Sequence, residues 1–138
     1  MTLLEKLESY DAQRSVALAD VRADNVFCED GGVPAWAGIE YMAQTVAAHA
    51  GAEARARGAQ PAIGFLIGTR AYRSDVAAFP LGSRLTITVQ PLWSEGGAVA
   101  FDCTIAIGAA PPVASAVINA YVPSADELAR LRSGGPRS

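Results

Sequence analysis

"VPAWAGIEYMAQTVAAHAG", residues 33–51, decides how this chain is read. The stretch is almost wholly apolar. Its main polar interruptions are one carboxylate, Glu40, then Gln44 four residues later, and His49. Pro34 suits a helix start, because its missing N–H would have no partner there anyway. Gly58 supplies a C-terminal stop, so a helix is predicted over 34–57. A helix that is apolar on nearly every side is a buried one.

Around that helix the chain reads as strands. "TLLEKLESYD" and "RSVALADVRA" flank a polar turn at Asp11–Gln13 and predict a hairpin, with period two carried by Val16, Leu18 and Asp20–Val21. "DNVFCEDGG" has the Asp, Asn and Gly content of a loop. After Gly58 come four strand-like segments, "AIGFLIGTRAYRS", "RLTITVQPLWS", "AVAFDCTIAIG" and "PVASAVINAYVP". They are separated by the turn compositions "DVAAFPLG", "EGG" and "AAP". "SADELARLR" opens on a Ser/Asp cap and reads as a short helix, and "SGGPRS", residues 133–138, as a disordered tail. One domain over residues 1–132 is expected. Two strands, a long helix and four more strands in succession predict an α+β architecture. An antiparallel sheet of about six strands would wrap around a central helix, which is the hotdog fold.

Composition narrows the function. The chain has 138 residues, 51% hydrophobic and 18% charged, with net charge -3. That describes a packed globular domain rather than a disordered chain. No basic cluster offers a track for phosphates, so no nucleic-acid partner is expected. Cys28 and Cys103 lack metal-ligand spacing, and a single histidine completes no zinc set, so no metal is expected. Spacing leaves a disulfide between them open. The N-terminus has charges within its first ten residues, unlike a signal peptide, and no segment reaches a membrane span. These features predict a soluble protein of the reducing cytoplasm with no membrane partner.

"PAWAGIEYMAQ" resembles the helix-start motif of the 3-hydroxyacyl-acyl-carrier-protein dehydratases, approximately P-G-V-L-x-x-E-A-M-A-Q. Pro34, Glu40, Met42, Ala43 and Gln44 match without a gap. Downstream, "FLIGTRAYRSDVAAFPLGSRLTITV" is similar to that family's strand–turn–strand, with Pro80 and Gly82 near its proline–glycine turn. "FCEDGGVPAWAGIEYMAQ" looks closer still to a divergent branch, the second dehydratase-like proteins of aryl-polyene pigment clusters.

The resemblance implies a site assembled across a subunit interface. One chain supplies a histidine base, the other a helix carboxyl that serves the departing hydroxyl, and a helix-start N–H serves the enolate oxygen. Such a division meets what dehydrating a 3-hydroxyacyl thioester requires. Glu40 falls at the carboxyl position, Gln44 lies about 40° from it on the helix wheel, and the amide of Ala35 falls at the oxyanion position. In an apolar surround a carboxyl's neutral form is favoured, which suits a proton donor. A first-turn carboxylate complementing the helix dipole is the plainer reading of Glu40. Asn25, Phe27, Trp36 and Gly68 are implied substrate contacts.

The family's histidine position is Val26. His49 lies nine residues beyond Glu40, on the opposite side of the helix at about 100° per residue. Asp30 is an alternative base, although an Asp-Gly-Gly run reads first as a turn. Cys28 reads as a small hydrophobe. Arg70 and Arg73 are either solvated strand positions or contacts for an acidic carrier or a cofactor phosphate. No cofactor of the protein's own is implied, because the substrate arrives as a phosphopantetheine thioester on acyl carrier protein or coenzyme A. The implied assembly is a homodimer, or a heterodimer with a related hotdog protein, and "AIGFLIG" is the candidate pairing edge. Two other readings remain: a non-catalytic acyl-thioester-binding subunit, and a thioesterase using Glu40 with Gln44.

Overall fold

The computed structural model describes residues 3–56, 58 and 66–121. The expected short helix over 124–132, the tail, and the first residues of the "AIGFLIG" strand lie outside that range. In order come β1 (Lys6–Asp11), β2 (Arg14–Asp20), β3 (Gly32–Pro34), a 3₁₀ turn (Ala35–Ala37) and α1 (Gly38–Ala56). Then follow β4 (Leu66–Ser74), β5 (Ala78–Pro80), β6 (Arg84–Glu95), β7 (Ala98–Ile107) and β8 (Pro112–Tyr121). Six strands form one antiparallel sheet in the order β1-β2-β6-β7-β8-β4, with α1 packed against it. This is the hotdog arrangement predicted from the sequence. Two three-residue strands, read from the sequence as loop and turn, pair with each other: β3 with β5 through Val33 and Phe79, both fully buried.

The helix starts later than predicted. Pro34 is extended, at φ -57° and ψ 146°, and ends β3 opposite Ala78. The chain then enters α1 through the 3₁₀ turn. The bundle of contacts beneath α1 is period-3.6 in origin: Tyr41, Met42, Thr45, Val46 and His49 are buried on one face. They meet Leu85, Ile87, Val89, Cys103, Ile105 and Ile118 from the concave side of the sheet. Each large side chain removed from water in this way contributes roughly 1.5–3 kcal/mol.

Burial of α1 on all sides, as expected from its composition, is not what the structure shows. Trp36, Glu40 and Ala47 are exposed, and Ala43 and Gln44 are half-buried. Recurring at i, i+4, i+7, i+8 and i+11, these positions form one uncovered stripe. The reason is geometric: a single curved sheet embraces only one side of a helix. The β1–β2 hairpin forms as predicted, but its inward residues are Ser15, Ala17 and Ala19, while Val16 and Leu18 face outward and are half-buried. Period two holds, and small side chains occupy the contact with α1.

The β6–β7 hairpin closes on Gly96 and Gly97, both at positive φ (59° and 89°), between the paired residues Glu95 and Ala98. Two successive positive-φ residues define the type I′ turn that fits strand twist. This hairpin overhangs β2 alone, because the pairing of β2 with β6 stops at Ser15–Val89 while β7 stays paired with β8 out to Ala98. Pro91, Leu92 and Trp93 sit on the overhang, and the ladder is irregular between Pro91 and Trp93.

Candidate functional site

Glu40 is the third residue of α1 and is exposed on the uncovered stripe. Gln44, one turn on, donates from Nε2 to Glu40 Oε2 at 3.1 Å. Gln44 Oε1 accepts the Leu3 N–H at 2.8 Å. A backbone N–H can only donate, so the amide's oxygen must face Leu3 and its nitrogen must face Glu40. The carboxylate is thus held from one side through its Oε2. The apolar surround anticipated for Glu40 is not supplied by this chain itself.

Ala35 opens the turn that leads into α1. Its N–H is already donated to the Ala77 carbonyl at 2.9 Å. The expectation that this amide serves an enolate oxygen therefore meets a competing partner, the strand-to-turn contact that anchors the helix start. Tyr72, which sequence reasoning did not single out, donates its hydroxyl to the Ala35 carbonyl from β4.

Of the implied substrate contacts, three gather on the β2–β3 loop and the turn. Asn25 donates from Nδ2 to the Tyr41 hydroxyl at 3.1 Å, and its Oδ1 accepts the Phe27 N–H at 2.7 Å. Burial pushes the Tyr41 phenol up, with the Asn25 hydrogen bond opposing it. Phe27 and Trp36 meet edge to face, with ring centroids 5.4 Å apart, and Trp36 remains 59% exposed. Val26, beside them, is 66% exposed. A cleft of about 420 Å³ opens next to Asn25 and Val26, bounded by Leu3–Glu5, Asp20, Arg22 and Asp24. Its rim is charged: Arg22 faces Glu5 at 3.8 Å and Asp24 at 3.4 Å. Glu40 does not line it. Gly68 stands apart on β4, opposite Asn119 of β8.

His49 lies on the far face of α1, as the wheel predicts, and is 2% exposed. Its Nδ1 is 2.7 Å from Ser15 Oγ, and Ser15 is fully buried. Nε2 faces Glu53 Oε1 at 3.8 Å, and Tyr10 donates to the same oxygen at 3.2 Å. The negative charge 3.8 Å from Nε2 favours the tautomer with its hydrogen on Nε2, in which Nδ1 accepts from the Ser15 hydroxyl. Rings of Tyr10 and Phe101 close over the imidazole at 5.3 and 5.6 Å. Burial lowers the pKa of His49, opposed by the charges of Glu53 and Asp11. The order Ser–His–Glu has the ingredients of a nucleophile triad, but a fully buried hydroxyl cannot meet a substrate.

Asp30 is exposed at the tip of a tight turn closed by Glu29 and Gly32. Both cysteines are free, Cys28 half-buried and Cys103 buried with its thiol pushed up to about 12, chiefly by burial. Arg73 is largely exposed and stands 3.9 Å from Asp75. Among the described residues no group of three His, Cys, Asp or Glu could hold a metal, and no helix is long and apolar enough to cross a membrane.

Known proteins place this geometry. A chain of the dehydratase heterocomplex ApeI:P from Xenorhabdus doucetiae superposes with a TM-score of 0.83 at 27% identity, covering 95% of this chain and 89% of that one. AziG of S. sahachiroi matches at TM-score 0.65 and 19% identity, over 85% and 89% of the two chains. A hypothetical thioesterase with coenzyme A from Streptococcus pneumoniae matches at 0.65 and 13%, over 86% and 85%. At such identities the last two show the fold. No curated protein matches the chain. The family model described as ApeP-like, ApeP dehydratase, matches residues 1–132, and on that match the chain belongs to the ApeP-like dehydratase family.

Proposed function

We propose that this chain is the carboxyl-bearing subunit of a 3-hydroxyacyl-thioester dehydratase, completed by a histidine from a related hotdog subunit. One observation carries the reading. The only histidine in the sequence is buried on the far face of α1, while Glu40 stands open on the uncovered stripe. A base facing Glu40 therefore comes from another chain. The similarity to a chain of the ApeI:P dehydratase heterocomplex supports a hetero-oligomer. Docking of a partner would also supply the apolar surround that Glu40 lacks by itself.

In this scheme the partner's histidine removes the proton from the carbon next to the thioester carbonyl. Charge moves to the carbonyl oxygen, where an amide of the Ala35–Ala37 turn receives it. Glu40 gives its proton to the hydroxyl on the neighbouring carbon, the carbon–oxygen bond breaks, and water leaves. The product is the 2-enoyl thioester. Solvent returns the proton from histidine to Glu40. The acyl group rides on the phosphopantetheine of an acyl carrier protein or coenzyme A in the cytoplasm, and the protein needs no cofactor of its own. Phe27 and Trp36 flank the acyl path with Asn25, and Arg70 and Arg73 are the cationic candidates for the carrier or its phosphate.

The test is reconstitution. The isolated chain should dehydrate a 3-hydroxyacyl-carrier-protein slowly or not at all. Adding the histidine-bearing partner should raise the rate above that of the partner alone, and Glu40→Gln should abolish the increment. Sedimentation should show a dimer or larger. Full activity of the isolated chain would overturn the shared site. The thioesterase reading is favoured by one feature, the solvent-reached Glu40–Gln44 pair; release of free thiol from the same substrate would support it instead. Binding of acyl thioester with neither product would mark a non-catalytic subunit.

A further inference from the structure

Three irregularities of this chain converge on one carbonyl. Tyr72 reaches the Ala35 oxygen through a break in β4, where the register against β8 shifts between Arg70 and Arg73. Within that break Ala71 takes φ +56°, the one positive-φ non-glycine residue among those described. A side chain in that region costs roughly 1–2 kcal/mol, so the bulge is held by what it accomplishes nearby. The third irregularity is Gly38. A Cβ built there would run into the Tyr72 hydroxyl oxygen and come within 3.2 Å of Ile105 Cδ1. The absence of a side chain at the first residue of α1 is what admits the phenol.

The Ala35 carbonyl also accepts the Gly38 N–H, the bond that closes the 3₁₀ turn leading into α1. It is therefore a doubly engaged acceptor. Its peptide group ends in the Trp36 N–H, the amide next after the Ala35 N–H that Ala77 already takes. A donor on a peptide carbonyl draws electron density toward the oxygen and makes the N–H of the same peptide a stronger donor. Burial keeps the Tyr72 phenol above its ordinary range, against the Ser74 hydrogen bond, so it stays protonated and donating across the working pH range.

We infer that Tyr72 is a positioning residue, whose hydroxyl on the Ala35 carbonyl fixes the helix-start turn and polarises the Trp36 amide toward the enolate oxygen. This rests on the dehydratase reading and names, within that site, the group that acts through the turn without touching substrate. It also assigns the donor that Ala35 cannot freely be.

The test uses the complex of this chain with its histidine-bearing partner. Removing an oxyanion donor outright costs about 10²–10³ in kcat. Losing a tenth to three-tenths of that exponent, the share a polarising bond supplies, predicts a fall of about two- to eightfold in kcat for Tyr72→Phe. KM should be unchanged, since the ground-state carbonyl is not yet charged. In the full-length chain, the Trp36 amide proton should move upfield in the same variant, a signature that loss of packing would not produce. An unchanged kcat, or a loss confined to KM or to thermal stability, would overturn the inference. Should Tyr72→Phe fail to fold, 3-fluorotyrosine at position 72 keeps the shape and strengthens the donor. It should then hold or raise kcat and move the Trp36 proton downfield, and the opposite pair of changes would overturn the inference. Glu40→Gln in the same assay separates the two levels. If Glu40→Gln is without effect, the dehydratase reading falls. If Glu40→Gln abolishes turnover while Tyr72→Phe does not lower kcat, only the role of Tyr72 falls.

Discussion

Ser15→Ala should destabilise the protein, and by an amount that depends on pH. Ser15 is fully buried and its hydroxyl is the hydrogen-bond partner of His49 Nδ1 at 2.7 Å, in an imidazole only 2% exposed. The variant leaves Nδ1 buried with no donor, which costs about 1–3 kcal/mol. At roughly 3–5 °C per kcal/mol for a domain of this size, a loss of ~2 kcal/mol lowers the melting midpoint by about 8 °C at pH 7.5. The sign of the pH dependence follows from the lowered pKa of His49. The unfolded chain takes up a proton near pH ~6.5, its ordinary value, while the folded chain resists until lower pH. Wild-type stability on this account is fully present above that value and is lost as pH falls through the folded-state pKa. In Ser15→Ala the neutral imidazole loses its donor, so folding discriminates less against the proton. The gap between wild type and variant should therefore narrow from pH 7.5 to pH 5. Thermal melts at the two pH values check this. A gap that stays constant, or a loss under about 0.5 kcal/mol at pH 7.5, would refute the assigned tautomer and the role of the bond.

Further outcomes are expected elsewhere. Val26→His should be accommodated without loss of stability, since Val26 is 66% exposed, and should give the isolated chain dehydratase activity by pairing a base with Glu40; a stable variant with no gain counts against Val26 as the vacant base position. Gly97→Ala places a side chain at φ 89° and should cost about 1 kcal/mol, read as a drop in melting midpoint; an unchanged midpoint would mean the hairpin does not depend on its I′ turn. Trp36→Ala should leave the melt within about 1 kcal/mol of wild type yet weaken association with the partner in sedimentation, because the indole is mostly exposed and touches Phe27.

Much of this was legible in the sequence, and where reading failed the cause is identifiable. Period two gave the hairpin, and apolar composition bounded by proline, glycine and turn residues gave the long helix and the four later strands. Wheel arithmetic alone separated His49 from Glu40. Burial of α1 was overstated, because apolar composition reports what a face can tolerate and not whether this chain covers it. β3 and β5 were missed because three residues are too few to show alternation and their pairing is long-range. Glu40 and Gln44 were visible as a same-face pair. The strap from Leu3 that orients Gln44 was not, since it joins residues 41 apart. Tyr72 gave no signal at all. Its position depends on Ala71 adopting a left-handed conformation, and the residues that announce that conformation are glycine and asparagine.

The overhang of the β6–β7 hairpin bears on solubility. Beyond Val89, β6 has no β2 partner and would present bare backbone groups, with Leu92 and Trp93 55% and 51% exposed beside them. An edge of that kind templates unwanted strand addition. Pro91 removes a donor from it, the irregularity before Trp93 bends it, and Glu95 charges its tip. The outer edge at β1 is guarded in a similar way, by a bulge between Leu7 and Ser9 and by the exposed ion pair of Lys6 with Glu8. At the other end of the sheet, Leu66–Arg70 of β4 runs in unbroken register until the bulge at Ala71. Among the described residues, two of the three sheet borders thus carry features that oppose strand addition, and the Leu66–Arg70 border of β4, the strand that also carries Tyr72, does not.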